Sequence, residues 1–231
     1  MYDKMLWFNN NIQYMFHGNI MEYDMVAASV SVSERFGLLD QSTIQQLKLL
    51  PKEKREVKMG LLQRGNTEFS TQLLSGIRDI RRKFIEANGL NDESILSLHS
   101  DAIIFNSKKN IISNIEGVEL KHKHTWSSYI RYNKIEIFYN DGVLTYKGIG
   151  EESLQQHTLG INKHLLKIFD KLDNYDESVL TYLSKFQTQY LHDKLPDYFY
   201  IPFGKLGTYK MDNLELLAYL ANIALSEVKT W

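Results

Sequence analysis

The chain has 231 residues, of which 43% are hydrophobic, 24% charged and 12% aromatic, with a formal net charge of −1. That is enough length and apolar content for one large domain or two small ones. It has no cysteine, which excludes disulfides and thiolate metal sites, and no apolar run approaches the roughly 18 residues of a membrane span. Residues 1–16 lack the charged-then-apolar layout of a signal peptide, so a cytoplasmic location is expected, the host cytoplasm if the chain is viral. Charge is unevenly spread: between Lys48 and Lys83 ten Lys or Arg stand against four acids. Such a segment attracts phosphate on an otherwise neutral protein, although solvated helix faces carry the same pattern.

In chain order, residues 20–32 begin as a strand and then turn small and polar at Ala27, Ala28 and Ser29. Ser42 reads as an N-cap for a short helix carrying Ile44 and Leu47. Pro51 suits the first turn of a further helix through Lys58 to about Arg64, stopped at Gly65. Residues 67–87 form the clearest helix, with Leu73, Ile77, Ile80 and Phe84 at spacings of one helical face, closed by Asn88 and Gly89. Two short β-prone runs, 94–98 and 102–106, flank a polar turn at His99, Ser100 and Asp101. Strands at 126–132, 135–139 and 143–146 follow, with Asn140, Asp141 and Gly142 turning the last pair. The rest reads as helices at about 162–172, 176–191 and 212–228, interrupted by an extended connection at 196–202.

The implied fold is α+β: a palm-like antiparallel sheet covered by a long helix, then further strands and a C-terminal helical region. Residues 1–150 would form the first domain, with reduced fingers at about 40–66, and residues 151–231 a helical, thumb-like region.

Asp24 ends the first strand and Asp101 lies in the later turn. If those strands are neighbours, the two side chains converge on one end of the sheet. Convergent carboxylates suit hard cations, since Mg²⁺ takes one or two of them together with waters and substrate phosphates. Glu22 shares the strand face of Asp24 and adds a candidate ligand, as does the backbone carbonyl of Met25. A turn Asp also bonds its own backbone, which is the competing explanation for Asp101. His122 and His124 share a strand face but have no evident third ligand.

These motifs resemble the palm of phage family B-like DNA polymerases over about residues 20–106. MEYDMVAAS (21–29) is similar to their motif A, and LSLHSDAIIF (96–105) to motif C. Lys54 to Lys58, with Gln63, Arg64 and Asn66, is similar to the fingers helix of motif B. The resemblance implies that Asp24 and Asp101 hold Mg²⁺ (or Mn²⁺), that Lys54, Lys58 and Arg64 contact a nucleoside triphosphate, and that Ser29 stands where the sugar-discriminating residue would be. The sequence departs from the pattern at His99, which replaces the first acid of motif C, and in lacking the Tyr-Pro after motif A. The activity implied is template-dependent nucleotidyl transfer on nucleic acid, with a partner subunit completing the small fingers. A non-catalytic phage accessory or assembly protein on the same scaffold is the alternative, and a metal-dependent nuclease a third reading.

Overall fold

The computed structural model describes residues 4–149, 161–200, 205–206, 209–210 and 213–231. Its architecture is α+β, and it divides into two compact units: Met1–Ile12 with Ile20–Thr125, and Gln13–Asn19 with Trp126–Trp231.

The first unit contains β1 (Leu6–Phe8) and, after β2 (Tyr14–Met15) of the second unit, β3 (Ile20–Met25). Four helices follow: α1 (Ala28–Arg35), α2 (Gln41–Leu49), α3 (Lys52–Gly65) and α4 (Thr67–Ala87). The unit closes with β4 (Ile95–His99), β5 (Ala102–Asn106), β6 (Asn114–Ile115) and β7 (Val118–Trp126). Its sheet runs in the order β1-β4-β5-β3-β7-β6, so β3 sits between β5 and β7. Strand alternation sends Met21, Tyr23 and Met25 of β3, with Ile103 and Phe105 of β5, into the hydrophobic core. There they meet the Leu73–Ile77–Ile80–Phe84 face of α4, with the Tyr23 and Phe84 rings 5.6 Å apart. Glu22 and Asp24 take the opposite face of the strand.

α4 starts where Asn66 accepts the Phe69 N–H at 3.0 Å, and its C-cap Asn88 donates back to the Phe84 carbonyl at 2.9 Å. Gly76 lets α1 lie close against α4: a Cβ at that position would stand 2.6 Å from Val32 Cγ1. Residues 28–32, read from sequence as the end of a strand segment that turns small and polar, therefore belong to the helix Ala28–Arg35, seated by Val30 and Val32 in the core. The cap of α2 also differs: Asp40, not Ser42, accepts from Thr43 N at 2.9 Å and from Thr43 Oγ1 at 2.7 Å.

The second unit has the sheet order β10-β9-β8-β2, built from β8 (Ser128–Tyr132), β9 (Ile135–Asn140) and β10 (Val143–Lys147) with β2. Asn140 pairs with Val143 across a two-residue turn in which Asp141 and Gly142 have φ of 47° and 78°, a geometry that Asp-Gly supplies readily. Ile130, Ile137 and Tyr139 pack with Leu165, Ile168 and Phe169 of α5 (Ile161–Asp173), and α6 (Ser178–Leu191) and α7 (Asn213–Val228) complete this core. The strands at 128–147 thus belong with the C-terminal helices, so the units part near residue 125 and not at 150. The expected strand 126–132 is broken after Trp126, where β7 ends and β8 begins at Ser128. In the expected extended stretch 196–202, Asp197–Phe199 form a 3-10 turn, and 201–202 lie outside the described residues. A two-residue pair, β11 (Lys205–Leu206) with β12 (Tyr209–Lys210), precedes α7. Among the described residues no helix is long and apolar enough to cross a membrane.

Gly76→Ala is expected to destabilise the protein by about 1–3 kcal/mol, because the added methyl overpacks a core already closed by Val32; a urea midpoint against wild type measures it. In the second unit His164 is 2% exposed and stacks on Phe186 at 3.6 Å, with Nδ1 2.9 Å from the Tyr182 hydroxyl. Burial, reinforced by Lys167, lowers its pKa to about 3. The ring is neutral when folded and charges on unfolding, so stability is greatest above the unfolded value near 6.5 and falls as pH drops from there toward 3. We expect this residue alone to cost about 2 kcal/mol by pH 5. His164→Phe should flatten that part of the stability–pH curve in denaturant titrations.

Candidate functional site

The ladder between β3 and β5 pairs Asp24 with Ala102, the residue that follows Asp101. Because β4 pairs His99 with Ala102, Ser100 and Asp101 form a two-residue turn at the end of the sheet where β3 stops. The Asp101 carbonyl accepts the Met25 N–H at 3.2 Å, which locks the turn to the end of β3. The two carboxylates are thereby brought together, close enough for a side-chain hydrogen bond between them. Burial first, and then the Asp24 charge, push the Asp101 carboxyl up to about 6, against a partial pull downward from Lys123. Two acids this close cannot both ionise freely, so the pair retains a proton into that range.

The turn is held from beneath. Ser100 adopts a left-handed φ of 50°, unusual for a residue with a Cβ, and is tied on both sides: its N–H donates to Met5 O at 2.5 Å and its carbonyl accepts from Arg81 Nη1 at 2.8 Å. Arg81 on α4 is fully buried, and its Nη2 donates to Lys4 O. His99, adjacent to the turn, packs edge-on against Phe8 with ring centroids 5.6 Å apart.

The carboxylates line a cleft of about 410 Å³. β7 contributes Lys121 and Lys123, which share a strand face; Val26 N donates to Glu119 O at 2.9 Å and ties the end of β3 to that strand. Lys123 Nζ lies 3.2 Å from Asp24 Oδ2. α3 supplies Lys52, Arg55, Glu56 and Gln63, with Lys52 Nζ 3.7 Å from Glu56 Oε1 in an exposed pair. The start of α1 supplies Ala28 and Ser29, whose amides sit in a first turn where no intrahelical acceptor exists. Lys52, Arg55, Lys121 and Lys123, with Glu56 among them, therefore stand around a carboxylate floor, an arrangement that could hold a cation beside phosphate.

The other expected residues are placed as follows. Ser29 lines the cleft. Lys54 and Arg64 are exposed and Lys58 is half-buried on α3, and none of the three is among the cleft-lining residues. α3 is anchored by Met59, 2% exposed, and the cleft-lining positions at helical spacing from it are Lys52, Arg55, Glu56 and Gln63. Glu22 is buried opposite Ile104 and does not line the cleft, while Met25, expected to contribute its backbone carbonyl, is among the cleft-lining residues with its side chain in the core. Lys121 and Lys123 were missed because the His122–His124 alternation drew attention to the other parity of the strand. His122 itself bonds Thr125 at 2.9 Å and packs on Tyr23.

A hard cation fits these donors. Two convergent carboxylates carrying surplus negative charge match Mg²⁺ or Mn²⁺, which complete their shells with water and phosphate oxygens. Among the described residues no three His, Cys, Asp or Glu side chains gather, so the donor set does not match a zinc site, which needs at least three protein ligands.

Arg81→Met should cost about 2–4 kcal/mol, since it strips the Ser100 and Lys4 carbonyls of a buried charged donor. It should also release the Asp24–Asp101 pairing, read as a fall of the Asp101 pKa in carboxyl-detected NMR titration.

A model of the Bacteriophage PBS1 gene 130 protein family matches residues 1–231, and the chain belongs to that phage family. No curated protein matches it.

Proposed function

We propose that this member of the Bacteriophage PBS1 gene 130 family is a template-dependent nucleotidyltransferase, a minimal palm of the family B DNA polymerase type working with Mg²⁺ or Mn²⁺. The observation that carries the reading is the convergence of Asp24 and Asp101, from β3 and the β4–β5 turn, on the floor of a cleft edged by Lys52, Arg55, Lys121 and Lys123. In the proposal Asp24 and Asp101 hold the cations, which supply Lewis-acid activation of a 3′ hydroxyl and stabilisation of the leaving pyrophosphate. Lys52 and Arg55, presented along one face of α3, receive the charge of the triphosphate, with the amides opening α1 as neutral donors. Ser29 is small and leaves room beside the sugar. The cleft is edged by solvent-exposed Lys side chains and a half-buried Arg55, which suits a ligand as charged as nucleic acid.

A second reading, a non-catalytic nucleic-acid-binding protein on the same scaffold, draws support from His99, which stands where a further acid would complete the cation site and is engaged with Phe8.

Primer extension with Mg²⁺ or Mn²⁺, a primed template and all nucleoside triphosphates separates the readings. The wild type is expected to extend, and Asp24→Asn and Asp101→Asn each to lose activity by about 10³-fold or more. Shortening of the primer in place of extension, lost in both variants, would replace the polymerase reading with a nuclease. Template binding by wild type and variants alike, with no turnover, would replace it with the accessory reading.

A further inference from the structure

Lys123 occupies the position of a cation on Asp24. Its Nζ is 3.2 Å from Asp24 Oδ2, and both side chains line the cleft. We propose that this ammonium is a built-in counter-ion that a divalent cation must displace, so that metal and phosphate enter the cleft as a coupled pair. The inference rests on reading Asp24 and Asp101 as the cation ligands.

Three observations carry it. First, a divalent ion seated on a carboxylate oxygen at roughly 2.1 Å cannot share that oxygen with an ammonium in contact with it, because the two positive charges would lie a few ångströms apart. Second, the Lys123 side chain is 43% exposed and Asp24 28%. Ion pairs this open to solvent are weak, and a lysine stem is flexible, so displacement is inexpensive once something else receives the ammonium. Third, Lys121 shares the strand face and also lines the cleft, so a displaced Lys123 remains beside a second ammonium. A polyphosphate is the complement of that pair. Lys123 thus keeps Asp24 neutralised while the cleft is empty and passes to the phosphate when the cation takes Asp24. The coupling is reciprocal: phosphate tightens the cation and the cation tightens phosphate.

The test is Mn²⁺ binding followed by electron paramagnetic resonance, alone and with inorganic tripolyphosphate, on wild type, Lys123→Met and Lys123→Arg. Wild type is expected to bind Mn²⁺ weakly alone and about tenfold more tightly with tripolyphosphate. Lys123→Met should bind Mn²⁺ alone about tenfold more tightly than wild type, as expected for removing one positive charge a few ångströms away, and tripolyphosphate should then add little. Lys123→Arg keeps the charge and should follow wild type, and urea midpoints of both variants verify folding. Equal Mn²⁺ affinity in wild type and Lys123→Met overturns the counter-ion role and leaves the cation site standing. No Mn²⁺ binding in any of the three, or binding that survives Asp24→Asn, overturns the cation site and this inference together.

Discussion

Arg81 carries a permanent charge into an interior where it has no exposed surface, and such a group is held only where acceptors are placed for its charged end. Two of the acceptors are backbone carbonyls, Ser100 in the β4–β5 turn and Lys4 ahead of β1. Because α4 is locked against the sheet by its Leu73–Phe84 face, the guanidinium is a fixed post, and the turn is positioned relative to the helix and not only by its own hairpin. The uncommon backbone of Ser100 is held in the same way. From that post follow the location of Asp101, its carbonyl bond to Met25 and the meeting with Asp24. A surface turn without such an anchor would place a carboxylate loosely; this one places it against a like charge.

That placement makes the cleft electrostatically divided. Its floor holds negative charge that burial makes costly, and its walls hold mostly basic groups that solvent still reaches. On the proposed reading, that division would suit two ligand charges at once. An anion alone meets the walls and is repelled by the floor, a cation alone meets the reverse, and a cation–polyphosphate complex meets complementary charge on both.

Much of both units was legible in the sequence because the signals are local. The α4 stripe, the β4–β5 hairpin and the β9–β10 turn each depend on residues a few positions apart. The pairing of Asp24 with the hairpin was legible only as a condition, since adjacency of β3 and β5 is a matter of topology, and the register meets it. α1 was hidden because its helical face is short and its contact with α4 depends on Gly76, a residue whose meaning lies in what approaches it. The face of α3 was hidden for a different reason: Lys54 and Lys58 followed from the resemblance to motif B, whereas the helix is anchored by Met59, and its most obvious apolar residues, Val57 and Leu61, are 65% and 62% exposed. The unit boundary was missed because β8–β10 alternate like any sheet strands, and only the residues they pack against assign them to α5.

The weak seating of α3 also has a dynamic consequence. Of its 14 residues only Met59 is buried, against eight on the neighbouring α4, so little apolar contact opposes its detachment and its opening free energy is small compared with that of the sheet. The cleft accordingly has one firmly packed side, made of strands and bearing the carboxylates, and one side, on α3, whose local opening costs less.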